Sequence, residues 1–382
     1  MGYLMIYWNT LRLYRPLNFG CISYLKNSLT ASETLLHHRL YRMTFYNVSC
    51  NLAPFKLSSA AQWVQNGITV AGLADGTNGS SLNSLSENFG VYCADDGILY
   101  IADGGNDRIV LIAPNSTTAV AVAGRTWDSN SFSFPADVFV TRTSIYVMDT
   151  WNFRVQKWSK SLFDPITVAG IPGVRGNSTD MMKLSNAYNL FVDNYDNVFI
   201  GDYSNNRVMM FPWSSTSGTN GVMVAGTGMA GSASNQLDGP SGVFVTDDQS
   251  LYIADCDNHR IQKWTIGATS GVTVAGGNGA GKTLSQLDSP YTVFVDLNGY
   301  MYITDYKNNR IMRWAPNTSA GECIVSCSDS PGISSNQLNG PSSMTFDSSG
   351  SMYINDFGKN RVQKFKLLSE TSMISVRSLF SI

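Results

Sequence analysis

The sequence contains few charged residues and few histidines, and both shortages limit the classes of function that the chain can have. Asp, Glu, Lys and Arg make up 14% of the 382 residues, against about 25% in an average domain. Asn, Ser, Thr and Gly must therefore supply much of the polar surface. Only three histidines and six cysteines are present, and none of them falls at the spacing of a zinc site. A zinc-binding RING domain is thereby excluded.

Long apolar runs and the signatures of nucleotide binding or hydrolysis are also missing. No run approaches the roughly 18 apolar residues of a membrane-spanning helix. The chain has no Gly-x-Ser-x-Gly elbow, no P-loop and no His-Glu-x-x-His pair. The run GGNGAG at 276–281 looks like a phosphate loop but lacks the Gly-Lys-Ser/Thr ending. We therefore predict no cofactor and no bound metal.

Basic residues are concentrated at the N-terminus. Residues 1–55 contain five basic side chains and one acidic side chain, whereas the whole chain has a net charge of −2, so the remainder is mildly acidic. The remainder thus lacks the basic footprint of a general nucleic-acid binder. Residues 1–55 stay unassigned, since their composition suits a targeting segment and equally a mispredicted start. The opening MGYLMIYW has no basic residue before its apolar run, which makes it a poor signal peptide.

What the sequence does contain is one pattern, repeated. The stretch LYIADCDNHRIQKW, residues 251–264, has five counterparts that align with it without gaps. Each copy carries an Asp, and an Arg follows five residues later. The six pairs are Asp103/Arg108, Asp149/Arg154, Asp202/Arg207, Asp255/Arg260, Asp305/Arg310 and Asp356/Arg361. Successive Asp residues are 46, 53, 53, 50 and 51 residues apart, and a period of about 50 residues built from short strands indicates a propeller or a related array.

Each repeat contains four short strand signals. The first is typified by GVFVT at 242–246, and a turn suited to a hairpin follows it. The second strand ends at the Asp, the third begins at the Arg, and the fourth is a VAG segment such as the one that starts at Val274. The strands are apolar throughout instead of alternating, which predicts sheets covered on both faces, as propeller blades are. The predicted fold is all-β, a six-bladed propeller of four-stranded antiparallel blades.

The repeat resembles that of the NHL family. The resemblance is carried by Asn258-His259-Arg260-Ile261 after YIAD, with VAG ten residues beyond the Trp, and it extends over roughly residues 63–366. The last repeat departs from the pattern, because Lys359 stands where the others have Asn and the Asn moves to position 360. The resemblance implies a six-bladed propeller of a kind that mostly acts as a binding module.

We interpret the six Asp/Arg pairs as structural. Each Asp ends one strand and each Arg begins the next, across a four-residue turn, so the carboxylate can accept hydrogen bonds from turn N–H groups and from the Arg. One catalytic site would not need six copies. His259 lies inside one such turn, where other repeats have Asp107, Phe153 or Asn, and we predict a polar turn residue instead of a metal ligand. We interpret the GGNGAG run at 276–281, which lies between a fourth strand and the next first strand, as a loop between two blades.

A fourth-strand signal precedes every complete repeat, at residues 67–71. We predict that it closes the ring as the outer strand of the last blade, which hides edges that the sheets would otherwise expose. Residues 372–378, SMISVRS, are the competing segment from the C-terminal side. The predicted boundaries are 1–55 for the unassigned segment, 56–366 for the propeller and 367–382 for a tail, and the propeller is expected to be monomeric.

The resemblance leaves several functions to weigh. We favour a non-catalytic module that presents one propeller face to a protein or glycan ligand. An RNA-binding propeller is an alternative, but it needs a basic face, and six Arg residues are already assigned to the Asp pairs. A second alternative is the partner-binding subunit of a ubiquitin-ligase system. An enzyme working in the central channel is disfavoured, since the amidating-lyase branch of the family needs several histidines and only His259 lies in the propeller.

The predicted ligand face carries the Asp-to-Arg turns and the loops after VAG. Alternate connections of an up-and-down sheet share an edge, so these two sets of loops emerge on the same side. Seven aromatic residues fall at the corresponding positions, and clustered aromatic side chains often mark binding sites. They are Phe89, Trp151, Tyr188, Tyr203, Tyr291, Tyr306 and Phe357. Trp151, Tyr203 and Tyr306 lie at turn tips and are the main candidates, while packing against neighbouring loops is the alternative role for each.

Two further features bear on the compartment and on cross-links. Five Asn-x-Ser/Thr sequons could carry glycans if the chain is secreted. They lie at Asn47, Asn78, Asn115, Asn177 and Asn317. Cys323 and Cys327 are close enough in the sequence to pair. The compartment stays open, with a slight preference for the extracellular side.

Overall fold

The computed structural model describes residues 56–368 apart from 117, 125–129, 162–164, 266 and 329. The unassigned segment 1–55, the sequon at Asn47 and the competing closing segment 372–378 lie outside the described residues. The described residues form six sheets, each of four antiparallel strands. The predicted all-β, six-bladed propeller is confirmed. None of the helices in this part of the chain is long and apolar enough to cross a membrane.

Blades one to five each take four strands from one continuous stretch of chain. Blade one is β2 (Asn88–Cys93), β3 (Leu99–Asp103), β4 (Arg108–Ile112) and β5 (Ala119–Gly124). Blade two is β6 (Pro135–Val140), β7 (Ser144–Asp149), β8 (Arg154–Ser159) and β9 (Pro165–Gly170). Blade three is β10 (Asn189–Val192), β11 (Val198–Asp202), β12 (Arg207–Phe211) and β13 (Val222–Gly226). Blade four is β14 (Pro240–Val245), β15 (Leu251–Asp255), β16 (Arg260–Trp264) and β17 (Val272–Gly276). Blade five is β18 (Pro290–Val295), β19 (Met301–Asp305), β20 (Arg310–Trp314) and β21 (Glu322–Val325).

Blade six joins the two ends of the propeller. Its inner three strands are β22 (Pro341–Phe346), β23 (Met352–Asp356) and β24 (Arg361–Phe365), and its outer strand is β1 (Ile68–Gly72). β1 runs antiparallel to β24, with Ile68 opposite Lys364 and Gly72 opposite Arg361. The predicted closure by the N-terminal strand is confirmed, shifted by one residue from the segment that the VAG pattern indicates.

Residues just before β1 strengthen this closure. Trp63 forms a bridge with Leu367, and its indole Nε1 donates a hydrogen bond to the carbonyl of Gly350 at 2.8 Å. Leu57 and Trp63 belong to the apolar core of blades five and six, which also contains Phe346. A buried Trp removes about 150–250 Å² of surface from water. Burial of these side chains therefore stabilises the closed ring, in addition to the pairing of β1 with β24.

Strand order defines two faces of the propeller. The upper face carries the turn between the second and third strands of each blade, together with the connection from one blade to the next. The lower face carries the remaining turns. Each upper turn is a single turn of 3-10 helix between the Asp and the Arg, and it ends at a residue in the left-handed region. Those residues are Asp107, Phe153, Asn206, His259, Asn309 and Asn360.

The Asp and Arg of each repeat form a buried ion pair beneath the upper turn. In blade four, Asp255 Oδ2 accepts hydrogen bonds from Arg260 Nε at 2.7 Å and from Asn258 Nδ2 at 2.9 Å. The Arg260 guanidinium also donates to three carbonyl groups within residues 232–236, on the connection from blade three. All six pairs have Nε to Oδ2 distances of 2.6–2.9 Å. The Asp side chains are fully buried in every pair, so each pair forms part of the blade's interior.

One part of the expected hydrogen bonding is wrong. We expected each Asp to accept from N–H groups of its own turn, but none of the six makes such a bond. The second carboxylate oxygen instead accepts from a backbone N–H 16 or 17 residues upstream, as Asp255 Oδ1 does from Asp238 at 2.7 Å. The last N–H of the turn, that of His259 in blade four, already donates to the carbonyl of Cys256. It therefore does not require a hydrogen bond to the Asp side chain. The pair thus ties the incoming connection to the upper turn.

The left-handed residue of the upper turn connects neighbouring blades. Its side chain accepts a hydrogen bond from a backbone N–H just before the inner strand of the next blade. The pairs are Asp107/Phe134, Asn206/Gly239, His259/Ser289, Asn309/Gly340 and Asn360/Glu87, at 2.8–3.1 Å. His259 accepts through Nδ1 and replaces Asn in this role, so it is a polar turn residue, as predicted. Phe153 has no acceptor, and beside it Thr150 Oγ1 donates to the carbonyl of Ala187 at 2.7 Å.

The predicted modification and cross-link positions lie in loops. The four sequon asparagines within the described residues are exposed. Asn78 and Asn177 are in connections between blades, and Asn115 and Asn317 are in turns of the lower face. Glycosylation at these positions stays a prediction. Cys323 and Cys327 form a disulfide at the end of β21.

Removing one carboxylate should test the structural role of the ion pairs. Asp255→Ala should lower the free energy of unfolding by about 3 kcal/mol or more, because Arg260 keeps a buried charge and loses its counter-ion. Asp247→Ala is the matched control. That acid is exposed in the same blade and accepts a hydrogen bond from Asn194, so its loss should change the stability by no more than about 0.5 kcal/mol. Equal stabilities of the two variants in urea unfolding would contradict the structural role.

Truncation should separate the closing strand from the segment before it. A chain starting at residue 73 lacks Trp63 and β1, so β24 becomes an open edge, and cooperative thermal unfolding should be lost. A chain starting at residue 56 keeps both elements and should melt at the temperature of the full-length chain. Circular dichroism melts of the two chains measure the difference. Identical melts would show that closure does not depend on β1.

Candidate ligand-binding site

Aromatic rings meet across the central axis at the upper face. Phe89, at the start of the inner strand of blade one, has its ring centroid 5.4 Å from that of Tyr188 in blade three. It lies 5.3 Å from Tyr291 of blade five and 5.3 Å from Phe357 of blade six. Blades one, three and five are not neighbours, so these contacts can form only across the axis. Phe89 is buried, and the rings around it close the upper end of the channel.

Two turn-tip tyrosines extend this group outwards. The rings of Tyr203 and Tyr188 lie edge to face at 5.5 Å. The ring of Tyr306 lies 4.8 Å from that of Tyr291 and 6.5 Å from that of Phe357. Each turn-tip tyrosine is half-buried, so part of each ring remains open to solvent.

Trp151 joins the group through Phe134, a residue that the sequence analysis missed. The two rings stack at 4.8 Å with 19° between their planes, and Phe134 lies 6.4 Å from Phe89. Trp151 is 56% exposed. A signal for Phe134 existed: it precedes Pro135, the residue that begins the inner strand, and that proline has counterparts in blades four, five and six.

All seven predicted aromatic residues therefore lie in one network of ring contacts. We call this network, with the added phenylalanine, the aromatic platform. Its members are Phe89, Phe134, Trp151, Tyr188, Tyr203, Tyr291, Tyr306 and Phe357. Blade four contributes no ring, because Ser241 and Cys256 occupy its two positions.

The tyrosines of the platform offer hydrogen-bond donors as well as ring surface. Burial raises the pKa of all four phenols, so the hydroxyl groups stay protonated at neutral pH. They are Tyr188, Tyr203, Tyr291 and Tyr306. The Tyr203 hydroxyl donates to Asp257 Oδ2 at 2.9 Å. Burial also raises the pKa of the Cys256 thiol beneath this face to about 12, which keeps it un-ionised.

A second concave feature opens on the lower face, along the same axis. It is a cavity of about 180 Å³ lined by the inner strands of all six blades, and we call it the lower cup. Five blades place an aromatic ring at the same register in its wall. These are Tyr92, Phe139, Phe191, Phe244 and Phe294, and successive rings lie 4.7, 5.3, 5.1 and 5.0 Å apart. Blade six has Thr345 at this register, opposite Tyr353.

Asp137 borders the cup, and its hydrogen-bond partners carry no charge. Its Oδ1 accepts a hydrogen bond from the N–H of Val138 at 2.9 Å, and its Oδ2 accepts from Asn189 Nδ2 at 2.7 Å and from the N–H of Leu190 at 3.0 Å. Gly90 of the neighbouring blade makes room for it, because a Cβ there would lie 2.3 Å from Oδ1. The sequence analysis missed Asp137, since one polar residue in a strand gives no signal of its position.

Burial raises the pKa of Asp137 to about 7, although the hydrogen bonds from Leu190 and Val138 act in the opposite direction. The other acids that line the cup are Asp95 and Asp347. Burial would raise the pKa of Asp347, but the bonds from Ser349 and from Lys364 Nζ outweigh it and the pKa is lowered. The described residues that line the cup include no Lys, Arg or His.

Comparison with known proteins agrees with this architecture. The family model described as NHL repeat matches residues 237–264, which is the stretch that contains the Asp255/Arg260 pair. The chain is a six-bladed β-propeller that contains an NHL repeat in its fourth blade. None of the curated proteins matches the sequence of this NHL propeller.

Solved structures resemble the NHL propeller in fold. A structural genomics protein of unknown function from Bacteroides thetaiotaomicron is 16% identical with a TM-score of 0.62, covering 80% of this chain and 77% of its own. An auxiliary nutrient binding protein from Bacteroides ovatus is 13% identical with a TM-score of 0.59, covering 81% and 78%. A gluconolactonase from Xanthomonas campestris is 11% identical with a TM-score of 0.54, covering 82% and 99%. The same fold thus serves a binding protein and an enzyme, and these likenesses do not decide catalysis.

The pH dependence of stability should reveal Asp137. In the unfolded chain its carboxyl has the ordinary pKa of 3.8, whereas in the fold it keeps its proton up to about pH 7. Between these values the folded state binds more protons, so raising the pH lowers the free energy of unfolding. Asp137→Asn should flatten this part of the profile, and the exposed-acid control Asp247→Asn should not. Urea unfolding between about pH 4 and pH 8 measures both, and superimposable profiles for wild type and Asp137→Asn would refute the raised pKa.

Proposed function

We propose that this NHL propeller is a non-catalytic binding module that takes a protein or glycan ligand on the aromatic platform. The observation that supports the proposal is the continuity of the platform, in which eight rings from five blades contact one another around the upper end of the axis. Aromatic faces bind the C–H surfaces of peptides and sugars, and tyrosine and tryptophan are frequent anchors of interfaces.

Packing alone accounts for the centre of the platform but not for its edge. Phe89 is buried, as a packing residue should be. Trp151 stacks on Phe134 yet leaves 56% of its surface in water, and Tyr203 and Tyr306 are only half-buried. An exposed aromatic patch around a rigid centre offers a ligand a large contact area at a small cost in side-chain entropy.

The repeat arginines do not form a basic face for RNA. The side chains of the six repeat arginines are 0–9% exposed and are paired with buried Asp side chains. These arginines cannot supply the phosphate contacts on which most of the affinity for nucleic acid depends. A partner in a ubiquitin-ligase system would be one case of a protein ligand. The nutrient-binding neighbour has the same fold and is compatible with a binding role.

Replacing the rim of the platform should weaken binding and spare the fold. The test variant is Trp151→Ser/Tyr203→Ser/Tyr306→Ser. The matched control is Tyr195→Ser/Trp213→Ser, which removes aromatic side chains that are 55% and 67% exposed on the lower face. A glycan array, a displayed peptide library and a pool of single-stranded RNA are screened with the wild type. Glycan or peptide binders found there should lose at least about tenfold in affinity for the test variant and nothing for the control.

Three results would count against the proposal. Undiminished binding of those ligands to the platform variant would place the site elsewhere. Selection of RNA alone would favour the alternative function. A large fall in melting temperature for the test variant, with the loss of affinity explained by unfolding, would make the three residues packing residues, and the single variant Trp151→Ser then decides because its ring is the most exposed.

A further inference from the structure

We propose that the lower cup is a second site, on the opposite face from the platform, and that it binds a small organic cation through an alkylammonium group. Two features of the cup carry the proposal: a wall of aromatic rings and a carboxylate without a cationic partner among the described residues that line it. The site does not depend on the ligand of the platform, because Phe89 and its neighbours separate the two along the axis.

The wall is suited to a cation because five of the six blades place an aromatic ring in it at the same register. Tyr92, Phe139, Phe191, Phe244 and Phe294 follow one another around five blades with centroid separations of 4.7–5.3 Å. A cation within about 6 Å of a ring centroid is attracted by the negative face of the ring, and several rings around one ammonium group add their attractions. Propellers need apolar side chains at this register for packing, but aliphatic side chains would also pack.

Asp137 supplies the charge that such a cation would balance. An ionised carboxylate has about four acceptor positions, and three are used by Val138, Asn189 and Leu190. All three partners are neutral, so the hydrogen bonds leave the charge uncompensated. A buried carboxylate is costly unless it is paired, and a cation in the cup would remove that cost.

The other polar side chains at the level of Asp137 argue against a sugar or another polyol. Each is already engaged in a hydrogen bond inside the propeller, so few groups remain for ligand hydroxyls. The pairs are Asn189/Val243, Thr292/Thr304 and Ser343/Val91. Anions are disfavoured by Asp95 and Asp137, since the described residues that line the cup include no Lys, Arg or His, while the third lining acid, Asp347, is already paired with Lys364.

The size of the cup limits the ligand to a small molecule. An apolar cavity of about 150 Å³ accommodates benzene. The lower cup, at about 180 Å³, has room for a trimethylammonium group with a short substituent. Choline is therefore the probe, and 3,3-dimethylbutan-1-ol, which has the same shape without the charge, is its neutral counterpart.

The test is an isothermal titration of the full chain with each probe at matched ionic strength and at about pH 8, where the Asp137 carboxyl is ionised. Choline should bind saturably, with a dissociation constant below about 10 mM, which is reasonable for a ligand of this size. The neutral alcohol should bind at least about tenfold more weakly. Equal affinities would overturn the recognition of charge, and the absence of choline binding would overturn the site.

Three variants assign the effect to the cup. Asp137→Asn keeps the shape of the side chain and should weaken choline by at least about tenfold while changing the affinity for the alcohol little. Phe244→Leu keeps an apolar wall and should weaken choline by about fivefold. Asp247→Asn removes a charge from the same face without touching the cup, and it should bind choline as the wild type does.

Two outcomes would refute the assignment. Equal losses in Asp137→Asn and Asp247→Asn would show that choline responds only to the overall charge of the lower face. Unchanged binding in both cup variants would place choline elsewhere on the chain. If Asp137→Asn does not fold, the comparison of choline with the alcohol on the wild type still decides the question. The platform variant Trp151→Ser/Tyr203→Ser/Tyr306→Ser should bind choline normally, so that the two proposals can fail separately.

Discussion

The buried ion pair between the Asp and the Arg of each repeat is the interaction on which the rest of the propeller depends. It joins three parts of the chain that are distant in sequence: the end of the second strand, the start of the third, and the connection arriving from the preceding blade. Buried ion pairs seldom stabilise a fold more than apolar groups of the same volume would. Their contribution here is geometric, because Tyr203 and Tyr306 directly follow paired Asp residues and take their positions from them.

The framework is repeated six times, and the chemistry arises where single blades depart from it. Blade four leaves a gap in the aromatic platform, where Cys256 stands in place of a ring. Blade six breaks the register of rings in the lower cup, where Thr345 stands in place of a ring and Phe346 follows it. Of the six inner strands, only that of blade two has a carboxylate, Asp137, at this position, and Gly90 of blade one lies beside it. Six identical blades would make both faces symmetrical about the axis. These substitutions instead make the platform and the lower cup each differ from one side to the other.

Most of the fold could be predicted from the sequence because each blade repeats the same local signals. The strand limits follow from the fixed distance between Asp255 and Arg260 and their counterparts, and the closing strand follows from one unpaired VAG segment. The platform could be predicted because its residues lie at constant offsets from the repeated Asp. The lower cup could not, because it depends on which residues meet across the axis. Asp137 and its partner Asn189 are 52 residues apart, and no feature of either strand alone indicates that the two side chains form a hydrogen bond.

Closure by β1 also sets an order of events during synthesis. The strand that completes blade six is among the first parts of the propeller to leave the ribosome, and its partner β24 is the last strand to do so, with Ile68 paired to Lys364. At about 5–20 residues per second, β1 exists for roughly 15–60 s before its partner has been made. During that time blades one to five can fold in turn, since each is continuous in sequence, but β1 keeps an open edge. The nascent chain therefore carries an unpaired strand ahead of blade one until β24 has been made, and that interval is when it is most exposed to mispairing with another chain.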